Sequence, residues 1–219
     1  MRQVVILVEG QTEEALVKEV LGPAASMRGT YVTPVVVTTS ATPTGAHHGG
    51  GHWKHYHTQL QDLLKASHWH RVGLLLDYYQ YPKGAPEREE ATSSESLGST
   101  GRQATLMAAL RAEYPDPRFR PLVVLHEIEA LVLAAIDAGQ GDGLLPRQGL
   151  AELRQAITRA HGPEQVNDGP STAPSKRLEA ADPGYMKTVT GRLLVSEAGL
   201  PAVLERCPTF KDWWDDLLA

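Results

Sequence analysis

Acidic side chains stand where the apolar runs of this chain stop. Glu9 follows Val4–Val8, Asp77 closes Leu74–Leu76, and Glu127 and Glu129 come just after Leu122–Leu125. If the three runs are strands of one parallel sheet, their carboxyl ends share one edge and the acids converge there. Clustered carboxylates repel one another unless something neutralises them. An all-oxygen set selects a hard divalent cation, Mg²⁺, Mn²⁺ or Ca²⁺, over zinc. Glu13, four residues after Glu9, can point back to the same edge from the first turn of a helix, and Glu14 beside it suits the helix dipole. A cation held in this way neutralises a phosphate and lowers the pKa of an attacking water.

Such a site needs strands and helices in alternation, and the sequence supplies them. Val4–Val8 is a continuous, β-branched run of the kind a strand buried on both faces requires. Gly10 permits a tight turn, and Thr12 is placed to cap a helix carrying Leu16, Val17, Val20 and Leu21 on one face. Residues 31–39 read as a strand whose Pro34 suggests an edge or a bulge. Tyr56, Leu60, Leu63 and Leu64 fit an amphipathic helix over 53–66, and 71–77 is a second buried strand ending in an acid. A polar connection follows from 78 to about 100, with an acid-rich run, Glu87 to Glu95, that reads as a solvated loop. A helix over 102–114, a strand over 119–125 and a helix starting near His126 complete the alternation. The fold class expected is therefore α/β, a mainly parallel sheet flanked by helices over 1–138, with a helical C-terminal extension over 139–219 packed on it.

Seven of the histidines lie between His47 and His70. His48, His52 and His55 would share a helical face, and suit zinc, only if the helix began early. The glycines among them argue instead for a loop, with His52, just before the helix, as a phosphate contact. The turn-rich segment Asn167–Asp168–Gly169–Pro170 leads into a helix that Ser175 can cap. Lys176 and Arg177 at its start run against the dipole, and with the free N–H groups of a helix start they make a phosphate-binding corner. Trp213 and Trp214 read as core or interface.

The chain of 219 residues carries a net charge of −5, and its pI is near 6.0. That excludes a uniformly basic surface but leaves room for a local patch that steers a polyanion. The one cysteine, Cys207, excludes an internal disulfide framework and a cysteine-based zinc cluster. With Glu9 interrupting the first apolar run and no stretch of membrane-spanning length, a cytoplasmic protein with no membrane partner is expected. Walker, HExxH, GxSxG and GxGxxG motifs are absent, so nucleotide hydrolysis, zinc-protease, serine-hydrolase and dinucleotide readings have no foothold.

The segments VEGQTEE, LLLD and HEIEAL resemble, in this order, the Toprim fold of topoisomerases, primases, recombination proteins and the nucleases of the overcoming-lysogenization-defect group. With GGGHW, LLLDYYQYP, LHEIEAL, VNDGPSTAPSKRL and CPTFKDWW, the whole chain is similar to a family of small Toprim-like bacterial proteins classed as a domain of unknown function. The resemblance implies that Glu9 serves in acid/base chemistry or metal binding and that Glu13 helps hold metal. In the later motif, normally two aspartates flanking one residue, Asp77 matches the first and Tyr79 stands at the second, so Glu127 or Glu129 would have to supply the missing oxygen. The expected protein is a Mg²⁺- or Mn²⁺-dependent nuclease on DNA or RNA, with Glu9 and Asp77 catalytic, and with an ATPase partner in a defence locus. The alternative is a non-catalytic Toprim-like subunit that binds nucleic acid or an ATPase.

Overall fold

The computed structural model describes residues 1–42, 45–48, 51–89, 98–167 and 172–219. They divide into two compact units, Met1–Val124 with Trp213–Ala219, and Leu125–Asp212.

In the first unit, β1 (Arg2–Val8) leads through α1 (Gln11–Leu16), a π-helical segment (Val17–Leu21) and α2 (Gly22–Met27) to β2 (Thr30–Val36). A hairpin of β3 (Thr38–Thr42) and β4 (Gly45–His48) precedes α3 (Trp53–Lys65) and β5 (Arg71–Asp77). Next come α4 (Ser99–Glu113) and β6 (Phe119–Val124). The sheet order is β2-β1-β5-β6, and every pairing in it is parallel. This is the α/β architecture expected from the alternating runs. The chain first steps from β1 to β2, then returns past β1 to β5 and goes on to β6. The strand order therefore reverses between β1 and β5.

Both faces of the sheet are covered, which is why its central strands tolerate unbroken apolar runs. Val5, Leu7, Val72, Leu74, Leu76 and Val123 share one core with Trp53, Tyr56 and Leu60 of α3 and Leu106 and Leu110 of α4. On the other face Gly73 makes room for the last helix. A Cβ there would lie 3.2 Å from Ile6 Cγ1 and 3.3 Å from Leu217 Cδ1. Trp213 also donates its indole N–H to the Arg120 carbonyl at 3.0 Å.

The second unit is helical among its described residues: α5 (Ala130–Asp137), α6 (Arg147–Ala160), a 3₁₀ turn (Pro163–Gln165), α7 (Pro174–Ala181), a π-helical segment (Lys187–Gly191), α8 (Arg192–Ala198), α9 (Leu200–Leu204) and the start of α10 (Pro208–Leu218). Residues Ala130 to Ile136 are all buried, so α5 is apolar all round and is the centre that α6, α8 and α9 surround.

Four local expectations are corrected. The strand expected over 31–39 ends at Val36. Val37 still donates to the Val8 carbonyl at 2.9 Å, and the chain then leaves the sheet. The glycine-rich stretch expected to be a loop carries β3 and β4, because antiparallel pairing closes a hairpin there. The helix expected near His126 begins at Ala130, since His126 has φ 70°, which no helix continues. Finally, Gly10 rather than Thr12 is the N-cap of α1.

Candidate functional site

Val8 pairs with Leu75, so Glu9 stands one residue past that pair on β1 and Asp77 two residues past it on β5. The two acids end adjacent parallel strands at the point where strand order reverses. Open α/β sheets place their ligands in this crevice, because the two crossover connections part to opposite faces there. Glu13 reaches back from α1 to the same turn, and its Oε2 accepts the Gly10 N–H at 2.9 Å. This is the half of a capping box that a glycine N-cap allows, the N3 glutamate accepting from the N-cap N–H. Glu14 turns away and pairs with Lys18.

One fully buried side chain senses all three acids. The phenol of Tyr56, in the first turns of α3, is held far above its ordinary pKa by burial and then by the negative charges of Glu9, Glu13 and Asp77. It therefore stays a neutral donor at every physiological pH. Among the described residues its hydroxyl has no hydrogen-bond partner.

His52 is the N-cap of α3. Its Nδ1 lies 3.4 Å from the Lys54 N–H, and its ring is seated over Gly84, whose φ is +77° and whose Cβ, if present, would come within 2.7 Å of the ring. Trp53 donates to the Lys83 carbonyl at 2.9 Å, which fixes this turn against the segment after β5. The zinc arrangement does not form: His48 is on β4 and α3 begins only at Trp53. The side chains of His47 and His48, and residues 90–95 of the acid-rich run, lie outside the described residues.

Glu127 and Glu129 belong to the second unit, and both are buried. Glu127 accepts the Ser175 N–H at 2.8 Å. The helix start expected to bind phosphate thus already holds a carboxylate. Ser175 is the second residue of α7, whose N-cap is Ala173, because Pro174 takes the first position. Lys176 pairs with Glu179 at 2.7 Å, and Arg177 donates to the Thr172 carbonyl at 2.9 Å. Residues 168–170 of the turn before them lie outside the described residues. Glu129 has Lys187 Nζ 2.7 Å from its Oε1, but burial outweighs this neighbour and raises its pKa. His126 Nδ1 lies 3.3 Å from Asn167 Nδ2, and burial pushes its pKa down to about 4. A buried, neutral histidine in a left-handed conformation is a strained feature that sequence periodicity passes over.

The carboxylates of Glu9, Glu13 and Asp77 are chemically the donors of a hard divalent cation. Their present positions do not make a cage: among the described residues no three His, Cys, Asp or Glu side chains are grouped so as to hold a metal ion. The Gly10 N–H holds Glu13 in its capping position.

The family model described as Domain of unknown function (DUF4276) matches residues 8–218. The chain belongs to this family. No curated protein and no solved structure matches it. Every candidate residue, from Glu9 and Glu13 through Asp77 to Lys187, falls within the matched residues. Tyr56 and Lys187 were not singled out by sequence reasoning. Tyr56 sits at a regular core position of an amphipathic helix, and Lys187 follows the exposed Met186 with nothing in its neighbours to mark a buried acid as its partner.

Among the described residues no helix is long and apolar enough to cross a membrane.

Proposed function

We propose that the chain is a divalent-cation-dependent, Toprim-like nuclease that hydrolyses phosphodiester bonds of DNA or RNA in the cytoplasm, working with an ATPase partner in bacterial defence. The observation that carries the reading is the position of Glu9 and Asp77 at the ends of adjacent parallel strands, at the reversal of strand order. Bound Mg²⁺ or Mn²⁺ would supply charge for the scissile phosphate and a more acidic water. Glu9 and Asp77 hold the site, and Glu9 serves as the acid/base group. Glu13 is the third acid once it leaves the Gly10 N–H. The ATPase partner rests on the Toprim-like resemblance and on the lack of any phosphate-binding loop in this sequence.

The test is Mg²⁺- or Mn²⁺-dependent nicking of plasmid DNA, or degradation of RNA, with and without the neighbouring ATPase. Wild-type cleavage that is lost in Glu9→Ala and Asp77→Ala supports the reading. Unchanged cleavage in both variants sinks the site.

A second reading is a non-catalytic subunit that binds nucleic acid or the ATPase. Tyr79 in place of a second aspartate favours it, as does the lack, among the described residues, of three metal-ligating side chains grouped to hold an ion. Nucleic-acid binding with no cleavage under any cation, partner present, decides for it.

A further inference from the structure

Helix α6, RQGLAELRQAITRA, carries three arginines and one glutamate in a chain whose net charge is −5. Its inner face is settled. Leu150, Leu153, Ala156 and Ile157 are buried, and Gly149 lies so close to α7 that a Cβ there would overlap the Ala181 carbonyl. The outer face is exposed, and alanine is its largest apolar side chain. A turn of about 100° per residue sorts that face. Ala151 and Gln155 run along the middle, between Thr158 and Gln148, with Arg147 on one margin and Arg159 on the other. Among the described residues Arg147 and Arg159 have no hydrogen bond or ion pair. Glu152, the acid beside Arg159, accepts from the Gln148 amide at 3.0 Å. Thr158 donates to the Arg154 carbonyl at 2.9 Å, which leaves its methyl and an acceptor for another partner.

Two unpaired guanidinium groups flanking a strip of amide, hydroxyl and methyl groups match a ligand with two rows of negative charge and a polar floor between them. The major groove of B-form DNA has that shape. It is about 12 Å wide, and a helix with its side chains is about 10–12 Å across. Arginines on the margins then meet the phosphates on either side. Glutamine and threonine are among the side chains that read base edges, and a small residue such as Ala151 lets the helix approach them. Other partners fit less well. The major groove of duplex RNA is too narrow to admit a helix. A single strand calls for aromatic platforms, and α6 contains no aromatic residue. A partner helix would need an apolar stripe, which this face lacks.

We propose that the outer face of α6 is a surface for duplex DNA, with Arg147 and Arg159 on the phosphates at the two sides of the major groove and Gln155 and Thr158 toward the base edges. The surface lies within the second unit and uses neither Glu9 nor Asp77. From the reading above it takes only that the ligand is a nucleic acid.

The experiment measures binding of a short fluorescent DNA duplex to the full-length protein by anisotropy, over a range of salt and with chelator present so that no cleavage intervenes. Wild type is compared with Arg147→Ala/Arg159→Ala, with Gln155→Glu and with Arg192→Ala, an exposed arginine of α8. All four should melt within about 2 °C of one another, since the changes are on the surface. The double variant should flatten the dependence of log Kd on log salt by about 2, one phosphate for each arginine. Gln155→Glu, which sets a carboxylate in the groove, should weaken binding about tenfold or more, and Arg192→Ala should change little. The proposal is overturned if the wild type does not bind the duplex, if the double variant keeps the wild-type slope, or if Arg192→Ala loses as much as the double variant. Equally tight binding of a single-stranded RNA, lost in the same variants, would also overturn it and assign the face to single strands. None of these outcomes touches Glu9 and Asp77, which the cleavage assay tests separately.

Discussion

The carboxylate of Glu129 lies 2.7 Å from the ammonium of Lys187, the acid 2% exposed and the lysine 39% exposed. The acid could be buried only with a counter-charge close by, and the lysine keeps one side in water. Lys187→Met should therefore destabilise the second unit by about 1–3 kcal/mol. That is less than the about 3–5 kcal/mol of a fully buried pair, because the lysine is partly solvated. Urea denaturation of the variant checks this.

Glu13 has two separable duties, the cap on Gly10 and a charge beside Glu9. Glu13→Gln keeps an oxygen for the Gly10 N–H, so it should melt near wild type while Mn²⁺ binding falls. Glu13→Ala should lose both and be less stable by about 0.5–2 kcal/mol. Equal melting of the two variants would show that the 2.9 Å bond adds no stability.

Asp116 gives the pH dependence. Arg118 Nη2 lies 2.8 Å and Nε 3.1 Å from its carboxylate oxygens, and these bonds hold its pKa below the usual carboxylate range. The folded state thus binds this proton less readily than the unfolded chain. The stabilisation is complete above the unfolded pKa and is lost as pH falls through the folded one. Asp116→Asn should be less stable than wild type at pH 7, and the gap should close as acid takes the pH through the lowered folded pKa. Arg118 also donates to the carbonyls of Ala66 and Leu64, so the same variant should loosen the end of α3 in amide exchange.

Gly84→Ala tests the seat of His52. The residue has φ +77°, and a Cβ would press on the imidazole at 2.7 Å. The variant should lose about 1–2 kcal/mol and displace the histidine. If His52 contacts phosphate, nucleic-acid affinity should fall beyond what the melting change explains.

The sheet was legible from the sequence because its central strands carry unbroken buried apolar runs; 71–77 is a strand at the boundaries the apolar run suggests. The placing of Glu9 and Asp77 at the ends of adjacent strands followed from parallel pairing alone. The hairpin over 38–48 was not legible, since its pairing depends on backbone geometry and the stretch is rich in glycine. The pairings of Glu127 with Ser175 and of Glu129 with Lys187 join residues far apart in sequence that share no periodicity. Tyr56 was visible as a core residue, but its unpartnered hydroxyl requires coordinates.

Gly73 leaves a groove on the sheet for Trp213 and Leu217, which the ribosome adds only after the whole of the second unit. During synthesis residues 1–124 therefore emerge before the side chains that fill the groove at Gly73. All four strands of the sheet are made first, and the packing at Gly73 closes only when the last helix arrives.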